Sequence, residues 1–205
     1  PLPRTGEGQM TKAGDSHIDI RPATLEDVPL LAQVILAAVE LSDMSCPPEE
    51  EPCREFEVAK RVCAEPDTLF SYRNALVPCL DGAPIGAMVS YDGAIYAEAR
   101  EKTFRMFHDA LGNENSSYGI ETGPGEYYLD SIALYPQYRG HGIALLLMQY
   151  LIDYARRSGF PRITLLCDSS ASQKMSYYAG LGFVPECELD AFGMTFTKMA
   201  LSLDR

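Results

Sequence analysis

Apolar residues at 30, 31, 34, 35, 38 and 41 recur at helical spacing and predict an amphipathic helix over 25–41. Thr24 followed by Asp27 resembles a capping box with Asp in place of Glu. Before it, 18–21 alternates as a short strand closed by Pro22. After it, 42–51 carries two prolines and three glutamates and reads as loop, and 56–63 is a short second helix ended by Pro66. Asp81-Gly82, between the apolar runs 69–80 and 84–91, is a strong hairpin signal. Pro78 and Pro84 each remove a ladder donor beside it, so irregular pairing is expected there. Ile95, Tyr96, Ala99, Thr103, Met106, Phe107 and Ala110 form a further helical stripe, and 112–125 is a polar, glycine-rich loop.

The second half is easier to read. It runs strand 127–134, turn 136–142, helix 144–158, strand 163–167, short helix 172–179, then strands 183–189 and 194–201. Gly159 and Pro161 stop the long helix. Strand–helix–strand implies a parallel pair with a right-handed crossover, a βαβ unit around 127–167. The stretch 92–126 is long for a connection in a compact domain and reads as an insertion that covers a binding site.

The 205 residues suit one domain over 18–205, preceded by a flexible, polar lead-in over 1–17 with Met10 as a candidate natural start. A net charge of −12 argues against nucleic-acid binding, which needs a basic surface, and fits a cationic substrate or simple solvation. No apolar run is long enough to span a bilayer, and no secretion signal is visible, so no membrane association and a cytoplasmic setting are expected. Six cysteines stand far apart, with no C-x-x-C pair and no histidine near them in sequence, so no metal is expected.

The most informative stretch is Gln137-x-x-Gly140-x-Gly142, between a strand and a helix. A helix N-terminus leaves amide N–H groups unpaired, and glycine lets the backbone approach an anion closely, which suits a pyrophosphate. A plain strand-to-helix turn would use the same glycines. Two other phosphate motifs fail. No lysine follows for a P-loop, and Leu145 stands where the third glycine of a dinucleotide fingerprint belongs.

Gln137-Tyr-Arg-Gly-His-Gly142, led by Leu134-Tyr135-Pro136, resembles the acetyl-CoA pyrophosphate loop of the GCN5-related (GNAT) acetyltransferases. Leu181-Gly182-Phe183, Tyr177-Tyr178, the Asp81-Gly82 hairpin with Ile85-Gly86, and Pro22-Ala23 after the first strand extend the resemblance over roughly 18–201. It implies an α/β GNAT fold, with a mixed, mostly antiparallel sheet of six to seven strands flanked by helices. It also implies transfer of an acetyl group from acetyl-CoA, as co-substrate, to a primary amine of a small molecule or peptide. A homodimer is a common family state. A non-catalytic acyl-CoA-binding module, or a same-fold transferase of another acyl group, is the alternative.

The resemblance carries roles to particular residues. Main-chain groups of Ile132, Ala133 and Leu134 would bind pantetheine. Gln137, Tyr138, Arg139, Gly140, His141, Gly142, Ile143 and Ala144 would hold the pyrophosphate, with Lys174 and Arg139 as candidate phosphate contacts. Tyr178 would protonate the leaving thiolate and also touch the cofactor. Glu126, eleven residues before Gln137, matches the general-base glutamate of the histone-acetylating branch. Asp130, on the same strand face by the two-residue period, is the other candidate base. A base is useful because an amine with pKa near 10.4 is only about 1 part in 2,500 neutral at pH 7. The family's frequent Asn after the fifth strand is replaced by Ala171. On the acceptor side, Glu49, Glu50, Glu51 and Glu55 could attract a cation. Tyr96, Phe104 and Phe107 could line an apolar pocket or simply be core.

Overall fold

The computed structural model describes residues 11–13, 16–50, 53–112, 119–191 and 194–203. Residues 1–10, residues 113–118 of the predicted loop, Glu51 and the side chain of Glu49 lie outside them. The elements in chain order are β1 (Thr11–Ala13), β2 (Ser16–Pro22), α1 (Val28–Ala38), α2 (Arg54–Ala64), β3 (Ala75–Leu80), β4 (Ala83–Pro84) and β5 (Gly86–Asp92). They continue with α3 (Tyr96–Leu111), β6 (Glu126–Leu134), α4 (Ile143–Arg157), β7 (Arg162–Asp168), α5 (Ser172–Gly180), β8 (Val184–Ala191) and β9 (Met194–Ser202).

Among the described residues nine strands form one sheet, ordered β1-β2-β3-β5-β6-β7-β9-β8, with β4 beside β3. Seven of them have six to nine residues; β1 and β4 are the short additions. The expected sheet is therefore present, and β6–β7 is its parallel pair, spanned by α4. β1 lies within the stretch expected to be a loose lead-in, pairing antiparallel with β2.

Local chemistry explains the turns. Asp81 and Gly82 both have positive φ, 50° and 84°, as a type I′ hairpin turn requires. The two prolines beside it have the expected effect: β3 pairs with β4 at Cys79 and Leu80, then with β5 at Ala75 and Leu76, with no ladder pair to these strands between. The predicted capping box closes in full at Thr24, but its first turn is a 3-10 turn, so α1 proper begins at Val28.

Two cores lie on opposite faces of the sheet. One packs Leu147, Leu151 and Ala155 of α4 against Met88, Leu129 and Leu165, and holds Tyr178 and Met175 of α5 at its edge. The other packs Leu31, Val34 and Ile35 of α1, with Phe56 of α2 and Tyr96 of α3, against Val89, Tyr91 and Tyr128. The 95–110 stripe is a helix as expected, but within α3 only Tyr96, Ala99 and Thr103 are buried. Among the described residues, no helix is long and apolar enough to cross a membrane.

Candidate active site

A break in the sheet makes the site. β6 and β7 pair from Glu126–Arg162 to Leu129–Leu165 and no further. On its other side β6 carries a bulge: Leu129 faces Ser90 and Ser131 faces Val89, so Asp130 is the extra residue. A bulge bends its strand and increases its twist. The bend falls where pairing with β7 ends, and a slot opens between the C-terminal halves of the two strands. A cavity of about 200 Å³ occupies the slot, lined by Asp130, Ser131 and Ile132 from β6, Leu166, Cys167 and Asp168 from β7, and Lys174 and Tyr178 from α5. On the other face of the sheet Ile35, Phe70, Phe104, Glu121 and Tyr128 line it.

The bulge also resets which side chains face which core. Tyr128 packs with the α1 core, whereas Leu129 packs with the α4 core; past the bulge Ala133 joins the α1 side and Leu134 the α4 side. Asp130 and Ser131 therefore turn to the same side, as bulged neighbours do. Ser131 Oγ donates to one Asp130 carboxylate oxygen at 2.8 Å, and Tyr91 Oη donates to the other at 2.8 Å. Burial, and then the charge of Glu121, push the Asp130 carboxyl up to about 7. Glu121 is itself buried, at 8% exposure, and accepts from Tyr128 Oη at 2.7 Å. Burial raises it too, against the hydrogen bonds of Tyr128 and Tyr96. Sequence reasoning missed Glu121, Tyr91 and Tyr128. Their only signal was the unusual count of polar-tipped tyrosines beside the insertion.

Tyr178 enters the cavity from the α5 side. Its ring packs edge-on to Phe183 and Tyr177, at 5.9 and 5.4 Å between centroids. Burial pushes its hydroxyl well above the usual tyrosine range, so it holds its proton at neutral pH. Among the described residues that hydroxyl has no hydrogen-bond partner, and Tyr178 lines the cavity.

The glycine loop follows the C-terminal end of β6. Gly140 and Gly142 have φ of 79° and 78°, with open space where a Cβ would stand. Glycine is needed there for conformation, not for room. Gly142 is the N-cap of α4 and makes no side-chain cap, and among the described residues the amides of 140–145 find no backbone acceptor. That row of free N–H groups at a helix N-terminus fits a pyrophosphate. Arg139 donates from Nε to Leu134 O and from a terminal nitrogen to Asp43 O, both at 2.9 Å, so its side chain ties the loop to the chain after α1. His141 Nδ1 lies 2.8 Å from Arg139 O.

The three main-chain pantetheine candidates divide. Tyr135 N–H donates to Ile85 O at 3.0 Å, so by alternation the backbone of Ala133 faces β5, while Ile132 and Leu134 face the slot. Consistent with this, a Cβ on Gly86 would stand 2.3 Å from Ala133 O, which is why glycine occupies that position.

Glu126 stands apart. Four residues of strand separate it from Asp130, about 13 Å, and it does not line the cavity. Its carboxylate takes Lys198 Nζ at 2.8 and 3.1 Å, Arg162 at 2.6 Å, Thr122 Oγ1 at 2.9 Å and Thr164 Oγ1 at 3.1 Å. Partial burial works to raise its pKa, but the hydrogen bonds from Lys198 and Thr122 outweigh it, and the carboxyl titrates below the usual range. Such a group clamps β6, β7 and β9 together and is a poor proton acceptor. Of the remaining candidates, Phe104 lines the cavity, Tyr96 is buried, and Phe107 packs on Phe70 at 6.3 Å. Glu50 and Glu55 line none of it.

The sequence model of the acetyltransferase (GNAT) family matches residues 38–183, from the end of α1 through the slot, the glycine loop and α5. The chain belongs to the acetyltransferase (GNAT) family. Its enzymes take their acyl group from coenzyme A, and no group of three or more metal-ligating side chains occurs among the described residues. A solved acetyltransferase is 26% identical to this GNAT chain with a TM-score of 0.70, covering 90% of this chain and 99% of its own. An N-acetyltransferase from Staphylococcus aureus Mu50 gives 19% identity and a TM-score of 0.70, over 89% and 99%. The yncA protein of Salmonella typhimurium, solved with its cofactor acetyl-CoA, gives 19% and 0.53, over 92% and 95%. No curated protein matches the chain.

Proposed function

We propose that this chain transfers an acetyl group from acetyl-CoA to a primary amine by direct attack, with Asp130 as general base and Tyr178 as general acid. One observation carries the reading: Asp130 and Tyr178 line the same cavity from opposite faces of the sheet, at the point where β6 and β7 part. Ile132 and Leu134 would offer main-chain groups to the pantetheine arm. Residues 137–144 would hold the pyrophosphate, chiefly through amides. Lys174, which lines the cavity on that side, supplies a positive charge.

The proton balance works with these two groups. The amine arrives as an ammonium and gives one proton to Asp130. A carboxyl near 7 lies roughly three orders of magnitude closer in proton affinity to an alkylammonium than an ordinary aspartate does. The freed nitrogen attacks the thioester carbonyl, the C–N bond forms and the C–S bond breaks. Tyr178 gives its proton to the departing sulfur, and the second proton leaving the nitrogen replaces it. The proton on Asp130 passes to solvent, leaving amide and free CoA.

The test is thiol release from acetyl-CoA with a panel of primary amines and basic peptides, run on the wild type, D130N, Y178F and E126Q. The expected result is acceptor-dependent release that falls steeply in D130N and Y178F and least in E126Q. Acetyl-CoA binding by calorimetry without release for any acceptor would overturn catalysis and leave a binding module. Absence of both would overturn the cofactor reading of the slot.

A further inference from the structure

The insertion between β5 and β6 delivers two side chains into the cavity, Phe104 from α3 and Glu121 from the loop that follows. Glu121 and Asp130 form no salt bridge among the described residues, in contrast to Glu126, which has two cations bonded to it. Arg100 and Lys198 are near enough to favour the Glu121 charge through space but do not bond to it. Two carboxylates in a largely dehydrated cavity disfavour each other's ionisation, and buried charge without a bonded counter-charge is costly. The neutral hydroxyls that face them are those of Tyr91, Tyr96 and Tyr128. Beyond these two carboxylates the acceptor-side wall is Ile35, Leu69, Phe70 and Phe104, with the exposed Glu40 beside them. The missing element is one positive charge on a hydrocarbon or aryl body.

We propose that Glu121 is the acceptor-selecting residue of this chain, holding with Asp130 the ammonium of a small monoamine whose apolar or aromatic group rests on Ile35, Phe70 and Phe104. This rests on the transferase reading above and narrows it. A peptide would have to bury polar backbone against that wall, and a polyamine would have to leave that wall to bring its second cation to the exposed Glu40. Asp130 accepts the proton, whereas Glu121 contributes to binding, so the two separate kinetically.

The experiment uses the whole chain and 2-phenylethylamine as probe, with putrescine and a lysine-containing peptide as comparators. Affinity is read by calorimetry in the presence of free CoA, where no turnover occurs, and turnover is read by thiol release. E121Q is expected to weaken phenylethylamine binding and raise its KM by about 10- to 100-fold, as for loss of a charged hydrogen bond. Its kcat falls far less, and acetyl-CoA affinity is unchanged. E121D, which keeps the charge, recovers part of the loss, and F104A weakens phenylethylamine more than putrescine. Phenylethylamine binding that is lost in E121Q, without turnover in the wild type, would overturn the transferase reading and leave the amine site standing. Turnover in which KM is indifferent to Glu121, or in which the peptide or putrescine is preferred, would overturn the present inference.

Discussion

Tyr91 donates its hydroxyl proton to Asp130 at 2.8 Å across the β5–β6 ladder, so a residue paired with Tyr128, just before the bulge, fixes the carboxylate of the bulged residue. The bond favours the ionised carboxylate, and Glu121 disfavours it. Opposite shifts of the pH profile follow. Wild-type kcat/KM should rise with pH through about 7, where Asp130 loses its proton, and then level. Y91F should move that limb to higher pH, and E121Q should move it to lower pH. Steady-state rates over pH 5–9 check both signs.

Asp130 should also carry a stability penalty. Its folded pKa is raised to about 7 from the ordinary 3.8, so between these values the native state holds a proton that the unfolded chain has lost. Stability therefore falls as pH rises through that window. D130N should abolish most activity yet be more stable than wild type above pH 7, by about 2 kcal/mol once the partial exposure of Asp130 is allowed for. Denaturant unfolding of both proteins at pH 5 and pH 8 tests it; an equal difference at both pH values would refute it.

Glu126 predicts the reverse pattern. Removing it leaves Lys198, 13% exposed, and Arg162 without their shared partner. E126A is expected to lose on the order of 3 kcal/mol of stability, and the pH at which kcat/KM reaches half its plateau should not move. Because its folded pKa is depressed, its contribution is present above the ordinary glutamate pKa and is lost as pH falls through the folded value. A thermal melt series from pH 3 to 7 reads this directly.

Y178F should lower kcat by about 10²-fold while leaving acetyl-CoA affinity within about threefold. A thiol leaving group with pKa near about 8.5 tolerates loss of the acid better than an alkoxide would. Replacing the thioester by one with a more acidic thiol should therefore restore part of the Y178F rate. An undiminished Y178F would remove Tyr178 from the mechanism.

Gly142 holds φ of 78° with nothing near its missing Cβ. G142A should therefore cost about 1 kcal/mol of backbone strain and weaken CoA binding by tilting the amides of the first α4 turn. Calorimetry against CoA and against pantetheine, which carries no phosphate, separates the effects: the pantetheine affinity should hardly change.

Elements with strong periodicity or a hard stop were legible in the sequence: α1, α4, the type I′ turn at Asp81-Gly82, and the order of the βαβ unit. The glycine loop was legible because its chemistry is local. The base was not. Glu126 and Asp130 share a strand face and differ only in what other strands bring to them. Lys198 and Arg162 reach Glu126 from β9 and β7, while Tyr91 reaches Asp130 from β5. Those neighbours are set by register, which composition does not encode. Glu121 was hidden for the same reason, in a loop whose glycines and polar residues gave no period to read. β1 was missed because three residues are too few for an alternation to stand out.

The bulge makes the slot a matter of counting. β6 holds one residue more than the stretch of β5 it faces, and Asp130 is that surplus. Deleting it is therefore unlike substituting it: the ladder would come back into step, β6 would straighten, and pairing with β7 would run on past Leu129. The gap proposed to admit the thioester would zip shut while every glycine, tyrosine and carboxylate on either side kept its identity. Whether the sheet lies open or sealed at this point turns on one unit of chain length.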